Sequence, residues 1–105
     1  MSLQLPAGIH QRVVRHRLSR VTATLQELQD DLRITREQFE IMSDDAADAE
    51  LRAIVSETPS AEADHRDSQR HFLAIAKHLA YLEAAIANNE RELDTLLDRL
   101  HSPEA

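Results

Sequence analysis

The residues best suited to metal chemistry lie near the middle of the chain. Glu62-Ala63-Asp64-His65 has the Glu-x-x-His spacing, which places a carboxylate and an imidazole on one face of a helix. Glu50 faces Glu62 if the chain folds back near Glu57. Two copies would then supply two Glu-x-x-His motifs and two further glutamates, the ligand set of di-iron carboxylate bundles. The candidate metal ligands are therefore Glu50, Glu62 and His65. Because the Glu-x-x-His spacing also arises by chance in charged helices, we expect no metal or cofactor.

The surrounding string supplies a resemblance. Residues 48–54 (Asp-Ala-Glu-Leu-Arg-Ala-Ile), followed by the Glu62-x-x-His65 motif, resemble a fragment of the encapsulated-ferritin family. The resemblance implies a ferritin-like, metal-binding helical dimer. It covers a short part of the chain, and it would place the ligands beside a turn rather than in the middle of a bundle. A ferritin-like role is therefore the least favoured of three functions.

Acidic residues concentrate around the same turn. Residues 44–70 contain eight acidic residues and three arginines. A helical hairpin with an acidic tip resembles, in architecture alone, the Gre factors, which enter a channel of RNA polymerase and present tip carboxylates to its catalytic metal. That resemblance implies a regulator of a large machine, with Glu57 at the tip and Asp48 and Glu62 close behind. We keep this acidic-tip role as the alternative to the interaction function described at the end of this section.

Enzymatic chemistry has little support in the sequence. The chain has no Cys, which removes thiolate nucleophiles and thiolate metal ligands, and its single Gly rules out a Gly-rich phosphate loop. No Ser/His/Asp arrangement is discernible, and a coiled-coil hairpin offers no deep pocket. We expect neither enzyme activity nor a small-molecule substrate.

Two stripes of mainly apolar residues flank residues 56–58, and together they form what we call the hydrophobic seam. Within each stripe the spacing alternates between three and four residues, which keeps the stripe on one face of a helix. The first stripe consists of Val14, Leu18, Val21, Leu25, Leu28, Leu32, Thr35, Phe39, Met42, Ala46, Ala49 and Ala53. The second stripe consists of Ala61, His65, Ser68, Phe72, Ile75, Leu79, Leu82, Ile86, Asn89, Leu93, Leu96 and Leu100.

The two stripes share one fold-back centre. A reversal at Glu57 places Phe39 opposite Ile75 and, far from the turn, Val14 opposite Leu100. Two accidental stripes would not match along their whole length. The sequence therefore predicts an all-α fold: a long antiparallel two-helix coiled-coil hairpin, open to dimerisation into a four-helix bundle.

Helix-breaking residues bracket the two helices. Pro6 and Gly8 oppose helix formation near the start, whereas Thr58 and Pro59 suit an N-cap and a first helical position. The predicted organisation is a flexible arm over 1–8, a hairpin over 9–101 (helix 9–55, turn 56–58, helix 59–101) and a tail over 102–105.

Ser43-Asp44-Asp45 is the one weak point within the first helix, because these residue types favour helix starts over helix interiors. A break there would give three helices. We expect a continuous helix, since the seam passes through this stretch in register.

Two polar residues interrupt the apolar part of the seam. Thr35 falls opposite Leu79, and Asn89 falls opposite Leu25. A shifted alignment would bury these polar groups against apolar partners. We interpret both residues as controlling the register of the hairpin.

The second helix has more apolar residues than its seam needs, and the first adds two isoleucines off the seam. A contiguous exposed apolar patch commonly marks an interface. We therefore predict a partner surface that binds either a second copy or a helix of another protein. Its predicted residues are Ile34, Ile41, Leu73, Ala74, Tyr81 and Ala85.

Charge argues against nucleic acid as a partner. The net charge is −7, whereas phosphate neutralisation supplies most nucleic-acid affinity. The first 26 residues carry four arginines and no acid, but the fold-back places acidic residues of 90–98 beside them. No apolar run approaches a membrane span, and no signal peptide is discernible, so we expect an intracellular, cytoplasmic protein without a membrane partner.

Two short segments give a last resemblance. Val55-Ser-Glu-Thr-Pro59 and Asp94-Thr-Leu-Leu-Asp-Arg-Leu100 resemble short coiled-coil proteins of actinobacteria. This resemblance implies a coiled coil and no particular activity. The favoured function is a non-enzymatic coiled-coil interaction or adaptor protein, which self-associates or docks on a partner helix.

Overall fold

The chain forms two long helices. The structure, a computed structural model, describes residues 7–101, which comprise α1 (Ala7–Ser56) and α2 (Pro59–His101). Within this range only Glu57 and Thr58 are not helical. The helices pack against each other, which confirms the predicted all-α helical hairpin.

Two details of the predicted helix ends differ from the structure: α1 begins at Ala7 rather than at residue 9, and it ends at Ser56, which the prediction placed in the turn. Ala7 and Gly8, predicted to belong to the arm, form the first turn of α1; residues 1–6 and the predicted tail lie outside the described residues. A helical Gly costs only about 1 kcal/mol relative to Ala, which the rest of a long helix can offset. At the predicted weak point, α1 continues without a break.

The turn is closed by two caps. Glu57 donates its backbone N–H to the Ala53 carbonyl at 3.1 Å, and its φ of 51° places it in the left-handed region. This single bond is the αL type of helix C-cap. The Thr58 hydroxyl accepts a hydrogen bond from the Ala61 N–H at 3.1 Å, as expected of an N-cap.

Burial follows the hydrophobic seam. Every seam residue is buried or half-buried, and each of the nine residues that are buried in the described range belongs to the seam.

Backbone contacts divide the hairpin into two compact units, which we call unit 1 (described residues 7–29 and 84–101) and unit 2 (residues 30–83). The core of unit 1 consists of Val14, Val21, Leu25, Ile86 and Leu96.

The core of unit 2 changes in size along its length. Leu82 and Thr35 are almost fully enclosed, and the Phe39 and Phe72 rings contact each other with centroids 5.1 Å apart. Nearer the turn, small side chains such as the buried Ala46 replace the large ones. Small residues bury less apolar area, so the turn end contributes less to stability than the Phe and Leu layers.

The polar seam residues are satisfied within their own helices. The Thr35 hydroxyl donates to Asp31 Oδ1 at 3.3 Å, and Asn89 Nδ2 donates to the Ala85 carbonyl at 2.8 Å. Neither hydrogen bond crosses to the other helix, and register control by these residues stays a prediction. His65 differs, because its buried Nδ1 has no hydrogen-bond partner.

Candidate functional site

Two polar side-chain contacts between the helices mark opposite faces of unit 2. Asp31 Oδ2 lies 3.4 Å from His78 Nε2, and both residues immediately precede a seam residue. Arg36 lies 3.9 Å from Glu83, and both immediately follow one. With seam residues at heptad positions a and d, the first pair occupies g positions and the second occupies e positions. We call the side at c and g the histidine face, and the side at b and e the arginine face.

The histidine face holds most of the predicted partner surface. Four of the predicted residues are exposed at c positions, each immediately before a seam residue: Ile34, Ile41, Ala74 and Tyr81. Ile41 and Tyr81 are exposed by 61% and 65%. The Tyr81 ring stacks on His78, with centroids 6.1 Å apart. Exposed apolar side chains are therefore present on both helices of this face.

Two predicted members of the surface lie elsewhere. Leu73 is 62% exposed but follows Phe72, so it occupies a b position and belongs to the arginine face. The prediction grouped it by its place in an apolar run rather than by its heptad position. Ala85 is half-buried and belongs to unit 1. The surface in unit 2 is therefore Ile34, Ile41, Ala74 and Tyr81.

A polar strip separates the apolar residues of the two helices on the histidine face. Its g positions in unit 2 include Asp31 and Gln38 on α1, and His71 and His78 on α2. All four side chains are exposed. A partner on this face would meet apolar contacts at the sides and polar contacts in the middle, the reverse of the apolar core and polar rim of a typical interface.

Towards the turn, the histidine face continues as an acidic groove. The groove is lined by Arg52 and Asp64 and by Asp45 and His71. Asp67 adds a third carboxylate to the same groove. This end of the face therefore carries net negative charge.

The candidate metal ligands do not form a site. Among residues 7–101, no group of three or more His, Cys, Asp or Glu side chains could hold a metal ion. Glu50 and Glu62 are exposed at e positions of the arginine face, whereas His65 is half-buried within the seam.

The predicted acidic-tip residues are all exposed but lie on different sides. Glu57 is in the turn, Asp48 occupies a c position on the histidine face, and Glu62 occupies an e position on the arginine face. The structure therefore spreads these carboxylates around the end of the hairpin.

The end of α1 presents an apolar cluster that the sequence analysis did not single out. Leu51, Ile54 and Val55 are exposed by 60%, 65% and 75%. All three occupy heptad positions outside the seam. Apolar residues at such positions are the sequence signal that could have identified this exposed cluster. The turn end of unit 2 is therefore apolar as well as acidic.

Comparison with known proteins gave no match: no family model, curated protein or solved structure corresponds significantly to this chain. Neither described helix contains an apolar stretch long enough to cross a membrane.

Proposed function

We propose that this protein is a non-enzymatic coiled-coil interaction protein, which acts by binding a second copy or a partner helix on its histidine face. The observation that carries the proposal is the exposure of Ile34, Ile41 and Tyr81 on one side of unit 2. Large apolar side chains clustered on one face commonly mark an interface. A cytoplasmic location is part of the proposal and is consistent with the absence of Cys.

A two-helix hairpin has a physical reason to bind through such a face. Each helix buries only one stripe, and the described structure has nine buried residues in total. A partner that covers Ile34, Ile41 and Tyr81 would remove further apolar area from water, at about 25 cal/mol for each Å². Association would therefore stabilise the hairpin as well as create a complex.

Site-specific photo-crosslinking tests the proposal. A photoreactive residue at position 41 should crosslink a defined protein in cells that make this chain, whether a second copy or another protein. The same residue at position 73 is the matched control, because Leu73 is equally exposed but lies on the arginine face. Ile34→Glu should abolish the adduct at 41. Equal crosslinking from 41 and 73 would contradict the proposal.

The second candidate function is an acidic-tipped regulator of a large machine such as RNA polymerase. The observation that favours it is the exposed cluster of Leu51, Ile54 and Val55 beside exposed acidic residues such as Glu57. Such a tip suits a basic, partly apolar recess of a larger assembly. Co-purification with polymerase that depends on Glu57 and Ile54 would support this function, and co-purification independent of both would contradict it.

A further inference from the structure

The end of α1 carries a compact apolar cluster that the described part of the hairpin leaves uncovered. We call Leu51, Ile54 and Val55 the tip patch, and all three side chains are exposed. Leu51 lies one helical turn before both of the other residues, so the three side chains are neighbours on the outer surface of the helix. All three belong to unit 2, so the patch is complete within one unit.

Neither packing nor helix formation accounts for the residue types of the tip patch. The three residues occupy heptad positions f, b and c, whereas the hairpin buries its seam at a and d. Ile and Val are β-branched and form helices less readily than Ala, Glu, Gln or Arg. Covering the patch would gain about 25 cal/mol for each Å² of apolar surface removed from water. The patch therefore has the character of a binding surface.

Acidic residues surround the tip patch. Asp48 and Glu50 lie within one helical turn of Leu51, and Glu57 follows directly after α1. These three acidic side chains, which we call the acidic rim, are exposed. None of them takes part in a close charged contact found in the described part of the chain. An apolar centre with a polar rim is the usual organisation of a protein interface.

The end of α1 adds to the negative field of the acidic rim. The C-terminus of a helix carries a partial negative charge, which a basic residue in the last turn would balance. The last turn of α1 contains no basic residue. Over residues 44–67, eight exposed acidic residues are accompanied by only two arginines, Arg52 and Arg66. The charge around the patch therefore favours a cationic occupant.

We propose that the tip patch docks a basic amphipathic helix of another protein. The apolar stripe of that helix covers the patch, and its Lys or Arg side chains meet the acidic rim. A helix fits because the patch is itself a stripe on the outside of a helix, and helices pack side by side through such stripes. The negative charge opposes nucleic acid, an anionic membrane and the same tip of a second copy. The inference is independent of the histidine face and defines what the acidic tip binds.

A designed peptide provides the probe. It is about 18 residues long, roughly five helical turns, with Leu at spacings of three and four and Lys elsewhere. Its fluorescence anisotropy is followed while the full chain is added. The wild type should bind this peptide at least about tenfold more tightly than a control peptide of the same composition whose leucines are scattered around the helix.

Two double variants separate the contributions of the patch and the rim. The patch variant, Leu51→Gln/Ile54→Gln, should bind the peptide about tenfold more weakly, because two aliphatic contacts are lost. Leu73→Gln is its matched control, since Leu73 is equally exposed but lies outside the patch, and its affinity should equal that of the wild type. The rim variant, Asp48→Asn/Glu50→Gln, should weaken binding several-fold and reduce its dependence on salt. Circular dichroism checks that each variant keeps its helicity.

The contrary results are equally defined. Equal affinities of the patch variant and Leu73→Gln, or of the two peptides, would overturn the tip patch as the docking site. A rim variant with unchanged affinity would overturn the choice of a basic partner.

Light scattering separates this inference from the proposed function. The patch variant should keep the oligomeric mass of the wild type, and Ile34→Glu/Ile41→Glu should still bind the peptide. A patch variant of reduced mass would assign the tip patch to a second copy and overturn the inference.

Discussion

The rings of Phe39 and Phe72 contact each other across the two helices of unit 2, with centroids 5.1 Å apart and planes tilted by 37°. The predicted fold-back placed Phe39 opposite Ile75. The observed contact is with the preceding seam residue, because a residue in an antiparallel seam packs between successive residues of the facing helix. Phe39 and Phe72 have the largest side chains in the seam, so their contact should contribute strongly to the stability of unit 2.

Removing one ring tests that conclusion. Phe72→Ala should lower the free energy of unfolding by about 2–3 kcal/mol, since Phe72 is half-buried and loses both apolar area and the aromatic contact. Urea denaturation followed by circular dichroism measures the change. The neighbouring Leu73→Ala is the control, with an expected loss within about 0.5 kcal/mol at a site that is 62% exposed. Equal losses would show that the seam does not hold this unit together.

The turn contains a backbone conformation that a different residue would adopt more easily. Glu57 has a φ of 51°, which costs a non-Gly residue about 1–2 kcal/mol. Glu57→Gly should therefore increase the free energy of unfolding by roughly 1 kcal/mol, which would raise the thermal midpoint measured at a fixed protein concentration. Glu57→Ala removes the same charge but keeps the Cβ, so it should give no comparable gain. A similar gain from Ala would show that charge, rather than backbone conformation, limits the turn.

His65 is a polar residue whose seam position leaves one atom unsatisfied. Its buried Nδ1 lacks a hydrogen-bond partner, and such a group costs about 1–3 kcal/mol. His65→Leu should increase the free energy of unfolding by about 1 kcal/mol. His71→Leu, at an exposed position, is the matched control and should change stability little. A destabilised His65→Leu variant would indicate that the imidazole has a role beyond packing.

The fold follows from the sequence because it depends on one repeated pattern. The seam from Val14 to Leu100 predicts both the helices and the residues they bury. The site was less predictable. Leu73 looked like a member of the apolar surface because it lies in an apolar run, yet one residue of rotation about the helix moves it to the arginine face. Composition shows that apolar residues are in excess, whereas heptad position decides which of them can meet one partner.

The exposed end of α1 shows a second limit of sequence reasoning. Leu51, Ile54 and Val55 fall in a segment dominated by acidic residues, which drew attention to charge alone. Their exposure follows from their heptad positions, which lie outside the seam. The sequence contains this information, but it becomes apparent only when each residue is assigned to a face.

Light scattering over a dilution series of wild type and the double variant Ile34→Glu/Ile41→Glu tests the central claim most directly. Both isoleucines are exposed in the single chain, so helicity should be retained while the proposed self-association is lost and the double variant has the mass of a monomer. The control Leu73→Glu should keep the oligomeric mass of the wild type, because it places the same charge on the arginine face. A double variant with the same oligomeric mass as the wild type would contradict the claim that the histidine face is the binding surface.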